Sequence, residues 1–214
     1  MEDNELKKIQ MVYRPSPNED LLLHYPGNFA IVYQGKYENS MFALKLFKKQ
    51  KKGLIRRYQA LHNYFKKNKI FTKCSYFTKF EYKPNSIFIK IQNKPIKFPI
   101  VKMDWMNGET LEKFIENTSE PKKFETLSKK FLLMVMELES LKIAHGDLHP
   151  KNIMVDGDQL KLVDYDCIFI KDFNDDTAPE NGDEDCQHPK RENFEYNHKI
   201  DRFSALVIYL TLLA

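Results

Sequence analysis

Asp147, Asn152 and Asp164 are the residues whose types and spacing could carry out chemistry. Two apolar runs between Asn152 and Asp164 are separated by Asp156-Gly157, a dipeptide that strongly predicts a tight β-hairpin. Because a tight hairpin brings its ends together, Asn152 and Asp164 should border one small volume. A carboxylate and an amide oxygen suit a hard cation such as Mg²⁺, and Asp147 could accept a hydroxyl proton. Each acid taken singly is more often part of a charged surface turn, but the joint spacing favours a site.

The elements predicted around this hairpin would hold it in place. Thr110–Glu116 predicts a short helix with Thr110 as its N-cap. Asp172–Asp185 is polar and acidic and predicts an exposed loop, whereas Asp201–Leu213 is nearly all apolar and predicts a buried helix. A longer amphipathic helix is predicted over Leu127–Leu141, with one apolar face formed by Phe131, Met134, Val135, Leu138 and Leu141.

The first half of the chain predicts mainly β-structure with one helix. The helix is expected over Leu54–Phe65, where apolar residues recur at helical spacing. A turn is expected over Asn93–Pro99, which carries two prolines. Aromatic and β-branched runs predict the strands Phe29–Tyr37, Met41–Phe47, Ser86–Gln92 and Ile100–Met103.

Charge is distributed unevenly along the 214 residues. Residues 1–102 carry 21 Lys and Arg against 7 Asp and Glu, whereas residues 103–214 carry 13 against 23. This asymmetry predicts two lobes with different surroundings. The basic excess is greatest over Asn39–Phe80, which has 12 Lys and Arg and no acid. Either an anionic partner binds there, or the lysines form a solvated surface; the second interpretation is favoured because no nucleic-acid motif accompanies the charge.

Composition argues against several classes of protein. Aromatic residues make up 13% of the chain, more than a disordered protein carries. The longest apolar run, Phe203–Ala214, is shorter than the roughly 20 residues that a membrane-spanning helix needs. Residues 1–5 are acidic and polar, unlike a secretory signal. Cys74, Cys167 and Cys186 are few and widely spaced, which predicts a cytoplasmic protein without disulfides.

The catalytic-type residues and the order of the surrounding motifs resemble the protein-kinase-like superfamily, over roughly residues 25–214. The resemblance implies that Asp147 is the catalytic base of a phosphotransferase and that Asn152 and Asp164 hold Mg²⁺. It also implies that Asp201, in Asp-Arg-Phe-Ser, begins a buried helix and braces the catalytic loop.

The same resemblance assigns residues to an ATP site. Lys45, in Phe42-Ala43-Leu44-Lys45, would hold the α- and β-phosphates. Met103, Asp104 and Met106, in a hinge over residues 103–107, would hold adenine, mainly through backbone groups. The other residues implied in nucleotide binding include the remnant of a glycine-rich loop and neighbouring apolar positions: Gly27, Asn28, Phe29, Val32, Ala43 and Met154.

The fold implied by this resemblance is a two-lobed α+β fold. Residues 1–102 would form an N-lobe with an antiparallel sheet and one helix. Residues 108–214 would form a mainly helical C-lobe, with the sequence stopping after the Asp201 helix, where a standard C-lobe continues. A more specific resemblance, to bacterial kinase-like proteins, is carried by Gly27–Ala30, His145–Asp147, Asp164–Asp166, His188-Pro189 and Asp201–Ser204.

Several positions depart from the common kinase pattern. Gly146 replaces the arginine that precedes the catalytic aspartate, and Asp166 replaces the glycine of the metal motif. His149 replaces the catalytic-loop lysine and could neutralise the γ-phosphate only when protonated. The stretch Asn39–Phe80 supplies no glutamate to pair with the lysine of the strand, and Gln59 is the polar substitute on the predicted helix.

Three functions compete at this point. The first is an ATP- and Mg²⁺-dependent Ser/Thr protein kinase. The second is a small-molecule phosphotransferase that resembles aminoglycoside and choline kinases, which also carry His-Gly-Asp loops. The third is a nucleotide-binding pseudokinase that acts as an interaction module. Joint retention of Lys45, Asp147, Asn152 and Asp164 disfavours the third, and the short stretch Gly108–Leu127 disfavours the second, whose members usually carry a large helical insert there.

Overall fold

The computed structural model describes residues 8–14, 21–26, 30–48, 52–91, 94–191 and 196–214. The chain divides into two compact units. Residues 1–63 and 78–105 form the first, and residues 64–77 and 106–214 form the second. The lobe boundaries expected at residues 102 and 108 stay a prediction.

The first unit is built on an antiparallel sheet. Among the described residues, six strands form this sheet, with β1, β5, β6, β8 and β7 side by side in that order and β4 also pairing with β5. A separate two-stranded pair joins β2 to β3. The strands are β1 (Gln10–Met11), β2 (Tyr13–Arg14), β3 (Leu21–Leu22), β4 (His24–Pro26), β5 (Ala30–Tyr37), β6 (Ser40–Phe47), β7 (Phe80–Ile91) and β8 (Lys94–Asp104).

Helix α1 (Lys52–Lys67) packs against this sheet through Tyr58. The ring of Tyr58, which is completely buried, lies 5.5 Å from the ring of Phe47 and 6.2 Å from that of Phe80. Phe47 ends β6 and Phe80 begins β7, so a single helical side chain packs against both strands. The predicted helix over Leu54–Phe65 is confirmed and extends further at both ends.

The predicted turn over Asn93–Pro99 is wrong, because β8 begins at Lys94. Strands β7 and β8 form a long hairpin that continues out to Ile91 opposite Lys94. Strand β6 pairs with β8 only from Ile100 to Asp104. The earlier part of β8 is therefore an edge, where a proline without an N–H group is tolerated.

The second unit is mainly helical, with a small three-stranded sheet. The helices are α2 (Ile70–Lys73), α3 (Leu111–Asn117), α4 (Pro121–Ser140) and α5 (Arg202–Leu213). The strands β9 (Glu109–Thr110), β10 (Ile153–Asp156) and β11 (Gln159–Leu162) pair antiparallel in the order β11-β10-β9. A sheet unit followed by a mainly helical unit confirms the predicted α+β class.

The helix signals of the second unit largely hold. The Thr110 hydroxyl accepts a hydrogen bond from the Lys113 amide at 3.3 Å, which is the predicted N-cap of α3. Helix α4 begins before the predicted Leu127 and buries Leu127, Ser128, Phe131, Met134 and Leu138. Residues 174–185 contain no helix or strand, as expected of the acidic loop.

Helix α5 is only partly buried, so the expectation of a fully buried helix is wrong. It packs against α4 through one side, which buries Ser204, Ala205, Ile208 and Leu212. Leu206, Leu210 and Leu213 are more than half exposed. The apolar composition of α5 predicted burial on all sides. Within the described part of the chain, however, only one side of α5 has a packing partner. No helix formed by the described residues combines the length and apolarity needed to cross a bilayer.

Two residues of α5 test this one-sided burial. Ile208→Ala should lower the free energy of unfolding by about 2–5 kcal/mol, because it leaves a cavity against α4. Leu206→Ala should change it by no more than about 0.5 kcal/mol, because Leu206 is 53% exposed. Urea denaturation of both variants measures the difference, and equal losses would contradict the packing described here.

Candidate active site

The hairpin formed by β10 and β11 brings Asn152 and Asp164 together as predicted. Ile153 pairs with Leu162 at the open end of the hairpin, and the two-residue turn is Gly157-Asp158. The Val163 amide donates to the Asn152 carbonyl at 3.0 Å, so the pairing continues to the residue before Asp164. Asp164 has a left-handed backbone with φ 58° and an exposed side chain. Such a conformation is uncommon for a residue other than glycine and is frequent at functional sites.

The Asp147 carboxylate is held by groups on both of its oxygens. Oδ2 accepts from Asn152 Nδ2 at 3.1 Å and lies 3.4 Å from His149 Nε2. Oδ1 accepts from the backbone amide of Asp183 at 3.1 Å. The side chain keeps 23% of its surface exposed. Asp147 is thus fixed in orientation while one part of it still faces solvent.

The Asn152 side chain has the orientation that a metal ligand requires. Its Nδ2 donates to the Asp147 carbonyl at 2.9 Å as well as to the Asp147 carboxylate. Because both donor contacts use the amide nitrogen, Oδ1 is directed elsewhere and keeps its lone pairs for a cation. In the described ranges no three His, Cys, Asp or Glu side chains gather into a metal site. The amide oxygen of Asn152 and the carboxylate of Asp164 are ligand types that suit Mg²⁺, which proteins bind through one or two carboxylates together with substrate phosphates.

Electrostatics keep Asp147 ionised. Burial by itself raises the pKa of Asp147, but the hydrogen bond and charge of His149, with smaller effects from His145 and the Asp183 amide, bring it below its ordinary value. His149 is 9% exposed, and its Nδ1 accepts the Lys151 amide at 3.3 Å. A ring that accepts at Nδ1 carries its proton on Nε2, which is the atom that faces Asp147. The Nε2–H of His149 can therefore donate toward Asp147 Oδ2, which lies 3.4 Å away.

Tyr165 anchors the Asp164-Tyr165-Asp166 segment. Its ring is completely buried and lies 5.8 Å from the ring of Phe77 and 6.4 Å from that of His145. Its hydroxyl donates to the Leu162 carbonyl at 2.7 Å. The aromatic residue is thus held inside the unit, so the side chain of Asp164 before it stays exposed.

Asp201 braces the catalytic loop through hydrogen bonds to its backbone. Its carboxylate accepts the backbone amide of His145 at 2.5 Å and that of Gly146 at 3.0 Å. Burial raises the pKa of Asp201, while the charges of His145 and Arg191 and these two amides oppose the rise. His145 is itself completely buried and contacts the Val163 carbonyl through Nε2 at 2.8 Å. The loop is therefore tied both to the start of α5 and to the end of the hairpin.

Gly146 occupies a position that excludes any side chain. Its φ is +80°, and a Cβ built on it would lie 1.9 Å from the Cys167 carbonyl oxygen. That oxygen also accepts the Tyr196 hydroxyl at 2.7 Å, which fixes it in place. An arginine, the common kinase residue here, would not fit this backbone.

In the first unit, four predicted nucleotide residues share one face of the sheet. Val32 pairs with Lys45 across β5 and β6, and Ala43 pairs with Met103 across β6 and β8. Residues directly opposite in a ladder, and residues two apart along a strand, point to the same side. Lys45 is 6% exposed, and its Nζ lies 5.4 Å from the centre of the Tyr58 ring. Tyr58 therefore faces the lysine, whereas Gln59, the predicted polar substitute, is exposed.

The remaining predicted residues lie at several places. Asp104 ends β8, Met106 follows it in an irregular segment, and Met154 is half-buried in β10. Gly27, Asn28 and Phe29 lie outside the described residues. The lysines of the basic region that follow the middle of α1 are exposed: Lys66, Lys67, Lys69, Lys73 and Lys79. Their exposure fits both a solvated surface and an anionic partner.

Sequence reasoning missed three groups that contact Lys45, Asp147 or Gly146. The Tyr58 ring lies against Lys45, the Asp183 amide binds the Asp147 carboxylate, and the Arg191 guanidinium binds the Gly146 carbonyl. A backbone amide leaves no sequence signal. Arg191 and Gly146 are 45 residues apart, so their contact leaves no local signal either.

Comparison with known proteins assigns the family. The family model of the protein kinase domain matches residues 26–214. The chain therefore belongs to the protein kinase family, which confirms the predicted superfamily. The structure is also similar to that of the Cydia pomonella granulovirus kinase PK-1, with a TM-score of 0.64 over 98% of this chain and 70% of that chain. At 18% sequence identity this similarity shows the shared fold.

Gly146 provides a direct test of the loop geometry. Gly146→Ala should lower the free energy of unfolding by roughly 3 kcal/mol or more, because a clash with a fixed carbonyl adds to the backbone strain. Gly157→Ala is the matched control: its φ is +61° but its surroundings are open, so about 1–2 kcal/mol of strain is expected. Urea denaturation compares the two, and equal losses would show that residue 146 is not confined.

Proposed function

We propose that the chain is an ATP- and Mg²⁺-dependent protein kinase that transfers the γ-phosphate of ATP to a Ser or Thr hydroxyl. The observation that carries this proposal is the arrangement of Asp147, Asn152 and Asp164. The Asn152 amide nitrogen bonds to Asp147 at 3.1 Å, and the hairpin pairing places Asp164 beside the Asn152 backbone. A candidate base and two candidate metal ligands thus come from one loop and one hairpin.

Hydrogen bonds hold the proposed base, Asp147, in a fixed orientation. As the acceptor hydroxyl oxygen bonds to the phosphorus atom of the γ-phosphate and the bond to the ADP oxygen breaks, the hydroxyl proton passes to the Asp147 carboxylate. Oδ1 accepts one hydrogen bond, from the Asp183 amide, and keeps a second lone pair for the incoming hydroxyl, whereas Oδ2 faces both Asn152 Nδ2 and His149 Nε2. A lowered pKa keeps this carboxylate deprotonated at neutral pH, and His149 helps to hold its orientation. Positioning is the main requirement of phosphoryl transfer.

The protein kinase family supplies the proposed roles of the nucleotide-binding residues. Lys45 would contact the α- and β-phosphates, and the backbone of Asp104 and Met106 would contact adenine. When bound, Mg²⁺ would neutralise phosphate charge, with Asn152 and Asp164 as its protein ligands. The apolar and loop positions proposed to line the nucleotide are Gly27, Asn28, Phe29, Val32, Ala43, Met103 and Met154.

The secondary structure between Glu109 and Ser140 favours a protein acceptor over a small molecule. Glu109 to Ser140 contains only strand β9, the seven-residue helix α3 and helix α4. The large helical insert that small-molecule kinases usually carry has no counterpart in this fully described stretch.

Incubation with labelled ATP and Mg²⁺ tests the proposal. Label should appear on a generic protein acceptor, or on the chain itself, and phosphoamino-acid analysis should find it on serine or threonine. Asp147→Asn and Asp164→Ala should each lower the rate at least a hundredfold, since the base contributes about 10²–10⁴ in such reactions. Both variants should keep the circular dichroism of the wild type, because neither side chain belongs to the apolar core.

Asp158→Asn is the matched control for these variants. This carboxylate lies in the hairpin turn, pairs with Lys130 on the surface and is 66% exposed. It should retain the wild-type rate. Normal transfer by Asp164→Ala would contradict the metal assignment, and labelling confined to small-molecule acceptors would contradict the choice of substrate class.

Activity should not depend on phosphorylation of Thr177, the one Ser or Thr between Asp164 and Pro189. Thr177 is exposed in a segment where residues 172–185 hold seven acids, so a phosphate would add about −1.5 to −2 charges to an acidic loop. Gly146 offers no side chain to receive it. Thr177→Ala should keep kcat within twofold of wild type, as measured by steady-state kinetics.

Mass spectrometry of the purified protein completes this test. A tenfold fall in kcat for Thr177→Ala, equal to about 1.4 kcal/mol of barrier, together with phosphate found on Thr177, would show that the loop is activated by phosphorylation.

A further inference from the structure

Arg191 is a buried cation outside the predicted active site. Its side chain is 5% exposed and lies at the end of the described segment that follows the acidic loop. Nη2 donates to the Gly146 carbonyl, and Nη1 donates to the Gln187 side-chain oxygen. Both ends of the guanidinium are thus engaged, one of them with the residue directly before Asp147.

Two buried groups of opposite charge hold the Gly146 residue. Its amide donates to the Asp201 carboxylate at 3.0 Å, and its carbonyl accepts from Arg191. Asp201 is 8% exposed, so both charges lie almost entirely inside the unit. Hydrogen bonds to charged groups are stronger than those between neutral groups. The backbone next to the base is therefore fixed from both sides.

The guanidinium has to come from elsewhere in the chain because position 146 cannot supply one. A Cβ at this position would overlap the Cys167 carbonyl. Arg191, 45 residues further along, donates to the Gly146 carbonyl. An arginine suits this place because its planar fork can donate to two acceptors at once, whereas a lysine ammonium acts as a single point.

The segment that carries Arg191 also contacts the Asp147 carboxylate. The Gln187 amide donates to the Asp183 carbonyl at 2.9 Å, and the Asp183 amide donates to Asp147 Oδ1 at 3.1 Å. Residues 183–191 therefore contact the catalytic loop at two points, at the Asp147 carboxylate and at the carbonyl before it. Gln187 connects these points, because its side chain accepts from Arg191.

We propose that Arg191 is a positioning residue for phosphoryl transfer. It holds the Gly146-Asp147 backbone in the conformation that catalysis needs, and this does not require a phosphate on residues 183–191. This inference rests on the proposed kinase function. Residues 183–191 would then keep Asp147 in position. Loss of the Arg191 guanidinium should slow the chemical step and leave nucleotide binding intact.

Steady-state kinetics and hydrogen exchange of Arg191→Ala test the inference. We expect kcat to fall at least tenfold while KM for ATP stays within twofold of wild type. Millimolar guanidinium chloride should restore part of kcat by entering the vacated space, and ammonium chloride at the same ionic strength should not. Lys190→Ala, which removes the neighbouring exposed cation, is the matched control and should behave as wild type.

Exchange of the His145 and Gly146 amides gives a readout that does not need activity. These amides donate to Asp201, and they should exchange at least tenfold faster in Arg191→Ala than in wild type or Lys190→Ala. If Arg191→Ala fails to fold, Arg191→Lys takes its place; it keeps the charge but not the fork, and it should show the same kcat loss in smaller measure.

The outcomes separate this inference from the proposed function. Unchanged kcat and unchanged amide exchange in a folded Arg191 variant would overturn it. A fall in kcat without any guanidinium rescue, accompanied by an equal rise in KM, would also overturn it, because that result describes general loosening. A wild-type chain that transfers no phosphate but shows the exchange difference would contradict the kinase proposal and leave the backbone role of Arg191 supported.

Discussion

The site depends on one buried carboxylate that binds backbone rather than side chains. Asp201 accepts the amides of His145 and Gly146, and these bonds fix the loop that presents Asp147. A buried charge is costly unless it is satisfied by hydrogen bonds, so the carboxylate and the loop stabilise each other. The loop can therefore keep one conformation although it contains no regular secondary structure between Leu141 and His149.

The other site elements are arranged around this brace. His145 connects the loop to the end of the hairpin through the Val163 carbonyl, and Tyr165 packs against the His145 ring. The Asn152 amide then joins the hairpin back to Asp147. These contacts close a ring of hydrogen bonds and aromatic packing, in which a shift of one member would displace the base and the candidate metal ligands together.

Features determined by neighbours in sequence were predictable. The Asp156-Gly157 signal gave the hairpin, and Thr110 gave the start of α3. Features that depend on partners far away in sequence were not predictable. The exposed side of α5 depends on which elements pack beside it, and residues 94–99 became a strand because β7 pairs along them. The contact of Arg191 with Gly146 joins residues far apart in sequence and follows no local pattern.

The distance in sequence between the loop and its brace has a consequence during synthesis. A ribosome delivers the chain from the N-terminus at about 5–20 residues per second, and Asp201 follows His145 by 56 residues. A nascent chain that has released the hairpin already carries Asp147, Asn152 and Asp164, but the amides beside the base have no acceptor. On the ribosome, the loop can therefore gain its hydrogen bonds to Asp201 only after the start of α5 has been made, seconds after the proposed catalytic side chains.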